Sequence, residues 1–163
     1  MRILTLCLLG LSCATFSAER IIRPSTTAVE LTTAPQLDGV IKNDEAWKGA
    51  MPMTDFWQVR PVEGKAASQR SEVYVGYTKN TLYVAAMLYD ESASGILVTD
   101  SRRDSKLDET DSFQIILDTY KDEQNGFVFG TNPAGIEYDG QVTKGGTAAF
   151  GSGGGGFNLN WDT

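Results

Sequence analysis

Along this chain apolar and polar residues alternate with a period of 2 over short stretches, and no stretch sustains a period of 3.6. Over 113–118, Phe113, Ile115 and Leu117 share one face of a strand and Gln114, Ile116 and Asp118 the other. Asn125-Gly126 follows, the dipeptide best able to supply two residues at positive φ, so a tight hairpin turn is predicted with a second strand from Phe127. Residues 72–77 and 82–89 are the clearest strands, and the polar Thr78-Lys79-Asn80 between them predicts a hairpin. Leu82, Val84, Ala86 and Leu88 fall on one face of the second strand, and Tyr83, Ala85, Met87 and Tyr89 on the other. Two apolar faces predict a central strand.

The remaining segments fit the same pattern. Residues 19–34 are Thr-rich and read as an extended lead-in with an edge strand at 29–32. Asp38-Gly39 is a turn signal, and Asn43 is placed to cap one helical turn carrying Asp44 and Glu45, with Trp47 packing inward as a core anchor. Asn132-Pro133-Ala134-Gly135 fits a type I turn before a strand at 136–143. Seven of the twelve residues from Gly145 to Gly156 are glycine, which reads as a flexible loop. Gly151, Gly153 and Gly156 match G-x-G-x-x-G, but a dinucleotide site needs a strand before it and a helix after it. Residues 157–161 begin another strand.

Short strands, antiparallel in connection and spaced by turn signals, predict an all-β fold, a β-sandwich or jelly roll. The sequence ends at Thr163 with a strand just begun, which would leave a neighbour with unpaired backbone groups. The expectation is a sandwich incomplete at its carboxy-terminal end, a piece of a longer protein.

Arg2, a short apolar run to Leu11 and small residues up to Ala18 read as a cleaved export signal over 1–18, too short to span a bilayer. Cleavage is placed after Ala18, with Ala14 as the alternative. The expected location is the periplasm, the outer membrane or the medium. Cys7 and Cys13, the only cysteines, leave with the signal, so the exported chain has no disulfide to form. Losing Arg2 leaves 13 basic against 21 acidic residues, net −8, which argues against nucleic acid and anionic lipid as partners. The absence of histidine removes the commonest general base and zinc ligand, and excludes a Cys/His triad.

Candidate chemistry gathers in two places. Trp57 stands beside Gln58 and Arg60 in a loop-like 55–65 stretch; it reads either as a platform for a sugar ring or as a lid over the core. The charged loop from Arg102 to Asp111 is held at the end of a strand hairpin, an arrangement that suits binding. Its Asp104, Asp108, Glu109 and Asp111 could gather oxygens for calcium, which wants six to eight at about 2.3–2.6 Å. The spacing matches no calcium loop, and Arg102, Arg103 and Lys106 lie among the acids, so solvated ion pairs are the competing reading. Glycoside hydrolysis needs two carboxylates about 5–9.5 Å apart, and nothing in the sequence fixes such a pair.

Several short motifs in order carry a resemblance. Ala34-Pro35-Gln36-Leu37-Asp38-Gly39, Glu45-Ala46-Trp47, Glu72-Val73-Tyr74-Val75, Thr81-Leu82-Tyr83-Val84, Asp111-Ser112-Phe113, Leu117-Asp118 and Asn125-Gly126-Phe127 resemble a carbohydrate-binding module of family 9. The resemblance spans 35–161. With Arg102-Arg103-Asp104-Ser105 and Asn132-Pro133-Ala134-Gly135 it is similar to the amino-terminal module of large exported bacterial proteins whose carboxy-terminal region is a β-barrel of unknown function. It implies a non-catalytic β-sandwich over 35–163 that binds oligo- or polysaccharide, in proteins associated with polysaccharide and xylan breakdown, with structural calcium in some members. Asp90 is the calcium ligand the resemblance implies.

The same resemblance marks departures. Family members clamp a sugar between two tryptophans, one of them three residues before the Asp-Ser pair, where this chain has Asp108. The family's assisting glutamate is Gln114 here, and its arginine on the next strand is Gly130. A sugar site in this chain would therefore use Trp57, Arg103, Asp108 and Gln114. The alternative function is an accessory domain without sugar binding that docks on its own carboxy-terminal barrel or on a partner.

Overall fold

The computed structural model describes residues 23–143 and the strand Phe157–Asn158. The predicted export signal and the glycine-rich 144–156 loop lie outside the described residues. The fold is all-β, with seven strands in two sheets and two single 3-10 turns, Glu45–Trp47 and Ala93–Gly95, among the described residues. The first sheet holds β1 (Val29–Glu30), β2 (Ser71–Tyr77) and β3 (Leu82–Leu88), in that order. The second holds β4 (Phe113–Leu117), β5 (Gly126–Thr131), β6 (Tyr138–Val142) and β7 (Phe157–Asn158), also in chain order.

β2 and β3 pair antiparallel from Ser71 opposite Leu88 to Tyr77 opposite Leu82, the predicted hairpin, closed where Thr78 N–H donates to the Thr81 carbonyl at 2.9 Å. β1 is shorter than expected and runs parallel to β2, with Val29 beside Gly76. Gly76 is required there because a Cβ would fall 2.7 Å from Leu31 Cδ2. Leu31, Ala46, Trp47 and Val73 are the buried apolar residues of this half. Trp47 anchors as expected, its ring 6.0 Å from that of Tyr74. The cap of its turn is Asp44 rather than Asn43: Asp44 Oδ1 accepts from Ala46 N–H at 2.9 Å. The carboxylate's second oxygen accepts from Gln36 N–H at 2.8 Å, a bond that also ties down the preceding loop.

Two further expectations are corrected. β3 is an edge strand among the described residues, not a central one. Its residues are half-buried or exposed, and apolar neighbours lie to both sides of it. Tyr83 to Ala86 border a pocket shared with Trp47 and the 35–41 loop, and Val84, Ala86 and Leu88 also line a groove toward the second sheet. Asn125-Gly126 does not make a two-residue hairpin turn. The connection spans 118–125, with Lys121 and Glu123 at positive φ, and the Asp118 and Asp122 carboxylates accept four of its backbone N–H groups. Gly126 belongs to β5, where a Cβ would overlap the Leu117 carbonyl oxygen.

In the second sheet Gln114 pairs with Gly130 and Ile116 with Val128. The face shared by Val128, Tyr138 and Val142 is the core, closed by Ile136 and by Leu107 from the charged loop; Val128 is 0% exposed. The Asn132-Pro133-Ala134-Gly135 turn forms as read, with Gly135 N–H donating to the Asn132 carbonyl at 2.8 Å. β6 is shorter than the predicted 136–143, because Ile136 leaves the ladder to enter the core.

Candidate functional site

Leu107 is the apolar residue that pins the charged loop to the sheet, and Ser112 Oγ donates to its carbonyl at 3.1 Å. With the loop held down, Arg103 reaches β6. Its Nη2 donates to Asp139 Oδ1 at 2.5 Å, its Nη1 to Glu137 Oε2, and its Nε lies 3.4 Å from Asp104 Oδ2. The backbone repeats the link, since Asp104 N–H donates to the Glu137 carbonyl at 3.0 Å. Asp104 sits at φ +56, the left-handed region that aspartate tolerates better than most residues. Asp139 has a side chain only 6% exposed, and its Oδ2 is buried without a hydrogen-bond partner among the described residues. Burial, then the charges of Asp104 and Asp108, push the neighbouring Tyr138 phenol above its ordinary value.

Arg103 is therefore a clamp between loop and strand, engaged with three carboxylates. Asp108 is exposed beside Leu107, and Gln114 is exposed on β4. Gln114 borders the position of Gly130, where a Cβ would fall 2.8 Å from Leu107 Cδ1 and 3.0 Å from Gln114 Cγ. Leu107 fills the space in which the resemblance would place an arginine. So three of the four predicted sugar-site residues, Arg103, Asp108 and Gln114, belong to one loop-and-strand unit on the second sheet.

Trp57 belongs to the first sheet's half. It is half-buried in an antiparallel bridge with Ala66, flanked by Gln58 N–H donating to the Lys65 carbonyl at 2.7 Å and Ala67 N–H to the Phe56 carbonyl at 2.9 Å. The Gln58 amide is spent inside the same turn, donating to the Ala66 carbonyl at 3.1 Å. A second bridge, Met53 to Val73, joins the preceding chain to β2.

The acids of the loop are dispersed. Asp104 faces Arg103, while Asp111 Oδ2 accepts from Leu97 N–H at 2.7 Å. Asp100 chelates Arg102, whose guanidinium and backbone N–H hold its carboxyl below the usual carboxylate range. Asp90 is exposed after β3, with Oδ1 accepting from Ser92 N–H at 2.7 Å. Among the described residues no three acids stand together as a metal site.

Between the sheets runs an apolar groove of about 640 Å³, walled by Val84, Ala86 and Leu88 on one side and Phe113, Thr131 and Pro133 on the other. Asp90 stands at its rim and Trp57 is not among its walls. The sequence reading missed a buried carboxylate. Glu72 is 5% exposed on β2, ion-paired with Arg70 and accepting from the hydroxyls of Tyr74 at 3.2 Å and Tyr89 at 3.3 Å. Arg70 and Lys42 both lie over the Tyr89 ring, at 5.1 and 5.2 Å. The available signal was a glutamate two residues before a tyrosine within an otherwise apolar strand.

Comparisons of the chain with protein-family models, with curated proteins and with solved structures find no match.

Proposed function

We propose that this chain is a non-catalytic carbohydrate-binding module of an exported protein, built as a β-sandwich. The observation that carries the reading is Trp57, a half-buried indole fixed by backbone bonds on both sides of its turn. A ring held so loses little freedom when a pyranose stacks on it. The ordered motifs of the family resemblance support the same reading, and exposed Gln114 and Asp108 offer directional hydrogen bonds on the second sheet. A single aromatic face makes a shallow site. Affinity near millimolar corresponds to only about −4 kcal/mol, so loss of one platform would abolish detectable binding. Titrating soluble oligosaccharides, xylan-derived ones included, into the protein by calorimetry tests this. Binding that disappears in Trp57→Ala supports it; binding unchanged in that variant places the site elsewhere.

A second reading, an accessory domain that docks on a partner or on a β-barrel of the same protein, is favoured by Arg103. Its guanidinium is committed to Asp139, Glu137 and Asp104 rather than presented to a ligand. No binding across a broad glycan panel by the folded protein would leave this reading standing.

A further inference from the structure

We propose that Asn125 is a latent self-modification site, kept unreacted in the folded protein by Asp122 and released when the 118–125 connection opens. Asn125-Gly126 is the only Asn-Gly pair in the sequence, and it does not form the tight turn such pairs suit. Glycine has no Cβ to shield its amide nitrogen from the side chain before it. The Gly126 nitrogen can give up its proton and bond to Asn125 Cγ. The Cγ–Nδ2 bond then breaks, and Nδ2 leaves with that proton as ammonia. Water opens the resulting cyclic imide at either carbonyl, leaving aspartate or isoaspartate at position 125.

Asn125 is exposed, so water reaches it, and what restrains it is its tether. Its Nδ2 donates to Asp122 Oδ2 at 2.7 Å and its backbone N–H to Asp122 Oδ1 at 2.8 Å, so one carboxylate holds both side chain and main chain. Any side-chain rotation that presents Cγ to Gly126 has to give up the Nδ2 bond. Donation to a carboxylate also feeds electron density into the amide and makes Cγ less open to attack. Gly126 is restrained as well. It is buried at the start of β5, opposite Val142, and packed so close to β4 that a Cβ would overlap the Leu117 carbonyl oxygen.

The restraint is conditional on the loop. Lys121 and Glu123 sit at φ +55 and +56, a conformation that costs free energy in any residue with a Cβ. The Asp118 and Asp122 carboxylates hold the backbone there through four N–H groups. Once those bonds are lost the chain relaxes and Asn125 comes free. The reaction then blocks the way back. Where Nδ2 donated to Asp122, an aspartate product sets a second carboxylate against the first, and like charges at that range repel. Isoaspartate runs the main chain through Cγ and inserts a methylene just before Gly126, whose place in β5 is fixed.

Peptide mass spectrometry after incubating the protein at mildly alkaline pH measures the conversion and separates aspartate from isoaspartate. The folded protein should convert at least about tenfold more slowly than the same chain unfolded in guanidinium chloride, because reaction waits on local opening. Asp122→Ala, with far-UV circular dichroism as a fold control, should convert about tenfold faster than the parent. Asp122→Asn keeps one acceptor oxygen for the backbone, so it makes the same comparison with less of the loop removed and should fall between the two. Asn125→Asp, which mimics one product, should lower the denaturant midpoint more than the unreactive Asn125→Gln. Equal rates in the folded and unfolded parent overturn the proposal. So do folded Asp122 variants that convert no faster than the parent, or an Asn125→Asp midpoint equal to the parent's.

Discussion

Arg103 and Asp139 meet at 2.5 Å between Nη2 and Oδ1, closing a span of 36 residues from the charged loop to β6. A buried carboxylate with one oxygen already unpartnered depends on that guanidinium. Arg103→Ala should therefore destabilise the protein by about 1–3 kcal/mol. Breaking a fully buried pair costs more, but the Arg103 side chain stays 41% exposed and water screens it. Urea unfolding of Arg103→Ala and of Arg103→Lys, which keeps the charge and loses the fork, measures this; a midpoint unmoved in both would refute the clamp.

Gly126→Ala should cost about 1–3 kcal/mol, because the new Cβ overlaps backbone, the Leu117 carbonyl oxygen, which cannot step aside alone. Gly130→Ala should cost less, since the nearest atom is the end of the Leu107 side chain. Thermal melts of the two variants should rank them in that order.

Glu72→Ala should destabilise by about 1–3 kcal/mol, leaving the Tyr74 and Tyr89 hydroxyls without their shared acceptor. Glu72→Gln keeps an acceptor oxygen and should recover part of the loss. Equal destabilisation in both variants would mean that the Arg70 charge pairing, rather than the hydrogen bonds, carries the effect.

Stability should fall at both ends of the pH scale, for different groups. The Asp122 carboxyl is held low by Asn125 and by backbone N–H groups of its loop, and that of Asp100 by Arg102. A depressed carboxyl favours the fold above its unfolded value near 4, and that contribution is lost as the pH drops through the folded value. The Tyr138 phenol is raised by burial and by two aspartates, so its contribution is complete below about pH 10 and is lost as the pH climbs through the folded value. Denaturant midpoints against pH should show both limbs, and Tyr138→Phe should flatten only the alkaline one.

Much of the fold was legible because its strands alternate cleanly. The β2–β3 hairpin, the Asn132–Gly135 turn and the inward Trp47 follow from residues close in sequence. The misreadings share one cause, a local signal overruled by something distant. Asn125-Gly126 has the dihedral freedom for a tight turn, but the Asp118 and Asp122 carboxylates organise a wider one, and Gly126 is needed to let two strands approach. β3 looks central because it borders both the 35–41 loop and the groove toward the second sheet, neighbours that its sequence does not distinguish from flanking strands. At the candidate site, charge density in the loop was evident. The choice of Glu137 and Asp139 as partners for Arg103 was not, because ion pairing across 34 and 36 residues leaves no periodic trace.

Each sheet takes its strands from one uninterrupted stretch of chain, β1 to β3 and then β4 to β7, with no strand crossing between them. Loop closure is short for the β2–β3, β4–β5 and β5–β6 pairings, although β1 joins β2 across 47 residues, so those neighbours are favoured to pair before the two sheets meet. At the groove the two apolar faces, Val84 to Leu88 and Phe113 with Thr131, are then expected to meet late, as surfaces rather than as chains. Opening should follow the same seam, so amides of the first sheet and of the second should exchange as two separate cooperative units.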